Sequence, residues 1–206
     1  TRTSILDVVE PPVAAAVSGL PDATARLEGL ARANQLIGEV GGAGVAYRYH
    51  NLLRDYLGAE LERREPGSAT RLHRHAAAWY ADAGRIDLAV EHGLRGKDAG
   101  TTAAYVTAAT LSQLYGGQGD RLERWLGSFD EIDFLRHPPL AVIGAWIHLL
   151  YGRPEPAEHL ADIVERATFS GAPGDGSATF ESARAMLRAV MVRDGPQDML
   201  ANAQFG

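Results

Sequence analysis

The chain has 206 residues, 46% of them apolar, enough for one large or two small domains with a buried core and too many for a disordered segment. Its 20 basic and 26 acidic residues leave a net charge of −6, so no overall positive field gathers nucleic acid by its phosphates. The absence of cysteine excludes a disulfide framework, a thiolate zinc site and a cysteine nucleophile, and suits a cytoplasmic protein.

Thr1 opens the chain mid-pattern, as expected of a segment from a longer protein. The apolar run from Val8 to Val17 is interrupted by Glu10, Pro11 and Pro12, so neither a signal peptide nor a membrane span is read there. Helical patterns at Ser4 to Val17 and Asp22 to Ala33 are followed by Leu36-Ile37-Gly38-Glu39-Val40, then Gly41-Gly42-Ala43-Gly44, then Val45-Ala46-Tyr47-Arg48-Tyr49. Two short β-prone runs around a glycine-rich turn predict a hairpin, and helices followed by a small hairpin predict a winged-helix arrangement. In that strand Val45, Tyr47 and Tyr49 share one face while Ala46 and Arg48 take the other. Asn51 is the expected N-cap of a following helix whose apolar face is Leu53, Tyr56, Leu57 and Leu61. His50 falls at the strand-to-helix junction, where unpaired N–H groups and the helix dipole favour an anion and an imidazole can add a donor; the alternative is a histidine that only caps or packs.

Beyond residue 65 the chain divides into helix-length blocks. Leu72, Ala76, Trp79, Tyr80 and Ala83 mark one face up to Gly84, and Ile86, Ala89, Val90 and Leu94 mark the next. A helix over Thr101 to Tyr115 follows; Asp120 is the expected cap for Leu122, Trp125 and Leu126, and Pro138-Pro139 is the expected start for Ile143, Trp146, Ile147 and Leu150. A helix over Pro154 to Thr168 precedes the glycine-rich stretch from Ser170 to Ser177, the best linker candidate, and two more helical blocks. Gly84-Arg85-Ile86-Asp87-Leu88-Ala89 and Gly152-Arg153-Pro154-Glu155-Pro156-Ala157 share Gly-Arg-x-acid-x-Ala, with a looser copy at Gly195 to Leu200, which is the logic of tetratricopeptide-like helical hairpins.

Other chemistry finds little support. His73 and His75, two apart on a helix, point in different directions, so no metal site is expected. No serine sits in a Gly-x-Ser-x-Gly elbow, and no carboxylate pair stands out by spacing, so no catalytic residue is assigned. Residues 1–66 carry 7 basic and 9 acidic residues and residues 67–206 carry 13 and 17, so neither part reads as a nucleic-acid binder.

The order of the winged-helix-like segment, then Tyr47-Arg48-Tyr49-His50-Asn51-Leu52-Leu53-Arg54-Asp55-Tyr56-Leu57, then Leu72-His73-Arg74-His75-Ala76-Ala77-Ala78-Trp79-Tyr80, then Ala89-Val90-Glu91-His92, resembles MalT-like bacterial regulators of the LuxR type. Arg136-His137-Pro138-Pro139-Leu140 and Ala145-Trp146 to Gly152 look like the start of their sensor repeats, whereas Gln35 and Leu53 stand where relatives tend to carry larger apolar residues. The resemblance implies a mainly α chain with a winged-helix-like segment and small β-hairpin over residues 1–65 and tetratricopeptide-like repeats over 66–206. It also implies a parent ATPase in which His50 reaches a nucleotide phosphate, with ATP or ADP held by a module outside this chain, since no Gly-x-x-x-x-Gly-Lys-Ser/Thr run occurs here. The implied partners are the ATPase and DNA-binding domains of the same polypeptide and a small-molecule inducer or regulatory protein on the repeats, with no cofactor in this chain, no direct nucleic-acid contact and no membrane. A free-standing helical-repeat scaffold is the competing expectation.

Overall fold

A computed structural model describes residues 1–33, 36–41, 46–191 and 204. Calls on Gln35, on Gly42 to Val45 and on the Gly195 repeat copy lie outside the described residues. The described chain is mainly α-helical with one two-stranded antiparallel sheet, and it forms two compact units, Thr1–Asp98 and Ala99–Gly206. The first unit therefore takes in more than the winged-helix-like pattern of residues 1–65.

In the first unit a short 3-10 turn, Arg2–Ile5, leads to α1, Pro11–Ser18, and α2, Ala23–Ala33. The helical pattern from Ser4 is thus split at Glu10, because Pro11 and Pro12 occupy the first-turn positions where their missing N–H groups are harmless. Strands β1, Ile37–Val40, and β2, Ala46–Tyr49, pair in the register Ile37 with Tyr49 and Val40 with Ala46. On its other edge β2 bridges to Val9, whose N–H donates to the Tyr47 carbonyl at 2.7 Å. Tyr47 and Tyr49 are buried and Arg48 is exposed, so the strand alternates as the sequence predicts. The Tyr49 hydroxyl and Thr3 Oγ1, 2.7 Å apart, join the hairpin to the 3-10 turn.

Helix α3, Asn51–Arg64, buries Leu61 and half-buries Leu53 and Leu57. Tyr56, expected on that face, is 66% exposed, and Leu52 is 74% exposed. The hairpin α4, Ser68–Asp82, and α5, Ile86–Arg95, closes the unit, with α4 also packed on α1 and α3.

In the second unit α6, Ala99–Tyr115, turns into α7, Gly119–Leu126; α8, Glu131–Arg136, is a short connector; α9, Pro138–Leu150, and α10, Pro154–Arg166, form the best-packed hairpin; and α11, Phe180–Met191, lies against both. Ala141, Val142 and Ala145 of α9 meet Leu160, Ile163 and Val164 of α10 and Phe180, Ala183 and Leu187 of α11 in one core. Helices α4, α6 and α9 end alike. The glycine at C′, Gly84, Gly117 or Gly152, has φ of +72°, +68° or +67°, and the next N–H donates back to the third-last helical carbonyl.

Three expectations for the second unit are corrected. Gln118, not Asp120, is the N-cap of α7; Asp120 lies in the first turn and accepts from the Tyr151 hydroxyl at 2.7 Å. Leu150, placed by periodicity on the buried face of α9, is 69% exposed. The stretch from Ser170 to Ser177 is not a linker: it lies within the second unit, where Asp175 accepts from the Trp146 indole and Gly174 abuts Thr107 so closely that a Cβ would come within 2.5 Å of its Cγ2.

Candidate functional site

The hairpin and α3 meet at His50. The end of β2 is prolonged by the His50 N–H, which donates to the Leu36 carbonyl at 2.7 Å, and the His50 carbonyl then accepts from the Arg54 N–H at 3.0 Å to begin α3. His50, rather than Asn51, is therefore the N-cap, with φ −56° and ψ 140°. Its Nδ1 accepts from the Leu52 N–H at 3.4 Å, a long contact that orients the ring more than it binds it. An accepting Nδ1 makes Nε2 the ring's donor, and the imidazole is exposed. The first-turn N–H groups of an α-helix have no intrahelical acceptors, so donors of the backbone and of one side chain share this corner.

One carboxylate stands between two guanidiniums at this corner. Arg54, one turn after His50, donates to Asp7 Oδ1 at 2.6 Å, and Asp7 Oδ2 lies 3.3 Å from Arg95 Nη1. Because Asp7 engages both arginines, neither guanidinium is free of a carboxylate partner beside the polar donors of the α3 N-terminus. Leu52 and Tyr56, four positions apart on α3, give an exposed apolar pair following the histidine.

A second group of titratable side chains lies in the same unit. His73 of α4 and His92 of α5 face each other with Nδ1 atoms 2.9 Å apart, and the Tyr80 ring lies 5.3 Å from His92. Only one Nδ1 can carry the shared proton, so the accepting ring is neutral when the contact forms. Burial, with Arg95 adding to it and, for His92, the neighbouring His73 as well, lowers each from 6.5 to about 4. His75 is exposed, so His73 and His75 do diverge, but no spacing rule pairs His73 with His92, nineteen positions away. Among the described residues no group of three or more His, Asp or Glu side chains is placed to hold a metal ion, and no helix is long and apolar enough to cross a membrane.

Residues 1–69 match the family model of the MalT winged helix domain. The chain is 26% identical over 146 residues to the HTH-type transcriptional regulator MalT of Vibrio cholerae, covering 71% of this chain and 16% of that protein. MalT of Vibrio parahaemolyticus is 25% identical over the same shares of the two chains. The serine/threonine-protein kinase PknK of Mycobacterium tuberculosis is 27% identical over 124 residues, 59% of this chain and 11% of that protein. The chain thus spans less than a fifth of these relatives, and no solved structure matches it. The segment that holds the hairpin and its buried tyrosine face is thus the part of the chain that is similar to the MalT winged helix domain.

Proposed function

We propose that the chain is the winged helix and opening helical repeats of an ATP-dependent, LuxR-type transcriptional regulator of the cytoplasm, a segment that relays signals and performs no chemistry itself. In this reading His50 reports the nucleotide held by an ATPase module elsewhere in the polypeptide: Nε2–H and the first-turn N–H groups of α3 meet a phosphate oxygen, while Leu52 and Tyr56 rest on the module that presents it. The repeats take an inducer or a regulatory protein, and the output passes to a separate DNA-binding domain.

The observation that carries this reading is the exposed histidine cap with its Nδ1 turned inward and its Nε2 left as donor. The engagement of both Arg54 and Arg95 by Asp7 supports a histidine that senses a phosphate bound mainly by another module rather than a self-sufficient nucleotide site. A charge-assisted hydrogen bond of about 1.5–3 kcal/mol predicts that His50→Ala in the full-length parent weakens ADP binding by roughly tenfold or more and shifts activation. Unchanged ADP affinity and activation sink the role of His50.

The similarity to PknK favours a second reading, in which the same winged helix and repeats regulate a protein kinase. The reading frame on either side of this segment discriminates between them: a phosphate loop upstream and a helix-turn-helix downstream support the regulator, a kinase domain supports the alternative, and the absence of all three leaves a free-standing scaffold.

A further inference from the structure

In the second unit, the C-terminal end of α9 is only partly covered: Leu150 is exposed, whereas Ile143 and Ile147 are buried. Leu150 of α9, Leu114 of α6 and Met186 of α11 wall a groove of about 440 Å³, in the range of small-molecule pockets, with Ile143 and Ile147 at its base. Trp146 and Asp175 complete it, and the two are joined: the indole N–H donates to Asp175 Oδ2 at 2.9 Å. The same carboxylate accepts from the Ser177 N–H at 3.0 Å and from the Ser177 hydroxyl at 3.2 Å. Three donors thus fix a half-buried carboxylate against an apolar wall, although the glycine-rich stretch that carries it has no regular secondary structure.

The chemistry of this lining is selective. Neutral donors orient Asp175 but do not cancel its charge, and no arginine, lysine or histidine is among the residues that line the groove. Anions are therefore repelled. A polyhydroxylated ligand needs several polar partners, yet the Trp146 N–H is already committed to Asp175 and the Thr110 hydroxyl to the Val106 carbonyl at 2.9 Å. What the groove lacks is a positive charge for Asp175 and an apolar body for the aliphatic wall, with the Trp146 ring available for a cation–π contact.

We infer that this groove is a binding site for a small organic cation, a protonated amine or amidine carried on an aromatic or branched apolar body, whose charged head meets Asp175 and whose body lies along α9. This deepens, and rests on, the reading of the repeats as a sensor, because it names the class of inducer they would take.

The test uses the 206-residue protein and three probes of one shape: naphthylethylammonium, neutral naphthylethanol and anionic naphthylacetate. The Trp146 indole N–H resonance, assigned with Trp146→Phe, is followed by NMR. The ammonium probe is expected to shift it and to bind about tenfold or more tightly than the alcohol, with the carboxylate weakest, since a partly desolvated ion pair is worth at least one decade in affinity. Asp175→Asn should bring the ammonium and the alcohol to equal affinity. Should that change loosen the turn, Leu150→Lys, at an exposed position on the groove's rim, keeps the fold and weakens the ammonium several-fold more than the alcohol, which loses only the apolar contact.

Equal binding of the three probes, preference for the carboxylate, or an unmoved Trp146 resonance overturns the proposal, as does self-association that buries Trp146 without any probe. The two readings fail separately. If naphthylethylammonium binds as described but transcription by the parent regulator ignores every groove ligand, the sensor reading falls and the site stands. If the parent answers to an inducer whose effect is untouched by Asp175→Asn and Leu150→Lys, the site falls and the sensor reading stands.

Discussion

The facing histidines of α4 and α5 make the stability of the first unit depend on pH in a window where few other groups titrate. Each imidazole is lowered from 6.5 to about 4, burial being the main cause. Above about pH 6.5 both rings are neutral whether the chain is folded or unfolded, and the contact contributes its full stability. As the pH falls toward 4 the unfolded chain binds protons that the native pair refuses, so stability is lost progressively across that interval. Between about pH 7 and about pH 5 linkage gives a ceiling of about 2 kcal/mol for each histidine. His73 is only half-buried, and Asp7 opposes part of its shift, so we expect about 2 kcal/mol for the pair together. For a unit of this size that corresponds to roughly 10 °C in midpoint. The assay is thermal unfolding as a function of pH, alongside NMR of the imidazole rings, for the parent and for a His73→Leu, His92→Phe double variant. The double variant should lose most of this dependence, and the parent rings should hold one proton on a shared Nδ1 at neutral pH. Rings that titrate near 6.5, or a double variant that falls as steeply as the parent, would refute the reasoning.

Three further substitutions read the packing. Gly144→Ala places a Cβ within 2.6 Å of Leu160 Cδ1 where α9 crosses α10, so denaturant unfolding should show a loss of about 1–3 kcal/mol, partly recovered by Leu160→Ala in the same chain. Tyr47→Phe removes a buried hydroxyl that has no hydrogen-bond partner among the described residues, so stability should hold or rise by up to about 1 kcal/mol; a comparable loss would mean that the hydroxyl is satisfied. Lys97 occupies the C′ position after α5 at φ +50°, where α4, α6 and α9 use glycine, and Lys97→Gly should stabilise the first unit by about 0.5 kcal/mol in the same experiment.

What could be read from the sequence follows from how local each signal is. Alternation placed Tyr47 and Tyr49 inward and Arg48 outward because a strand has period two whatever surrounds it, and Pro138-Pro139 marked the start of α9 because proline tolerates only the first helical turn. Periodicity names a face but not its cover, which is why Tyr56 and Leu150, spaced as core residues, are exposed. Caps shift by one residue when a side chain two positions from the helical N–H can reach it, as His50 does in place of Asn51. The glycine-rich stretch was misread for a different reason: its density of glycine signals freedom from regular structure, but the packing of Gly174 on Thr107 and of Asp175 on Trp146 depends on partners 67 and 29 residues away. His73 and His92 likewise needed the α4–α5 hairpin before their proximity could be seen.

The repeat motif separates backbone work from side-chain work. In Gly84-Arg85 and Gly152-Arg153 the glycine ends the helix, and the arginine N–H returns to the Tyr80 or His148 carbonyl at 2.8 Å. The arginine side chain then reaches a carboxylate from another helix or its approach, Glu10 at 2.7 Å or Glu123 at 2.6 Å, and lies over a tyrosine ring, Tyr80 or Tyr151. Gly117-Gln118 makes the same backbone turn, with the Gln118 N–H 2.8 Å from the Gln113 carbonyl, but glutamine cannot form the ion pair. That glutamine hides a further copy of the turn in the sequence, although its backbone geometry is equivalent. The arginines of the motif are therefore committed to joining helices within each unit and do not offer free cations for ligands. The His50 cap with its Nε2 donor and the Asp175 carboxylate beside Trp146 have no such ion pair among the described residues, and these are positions where function should be sought.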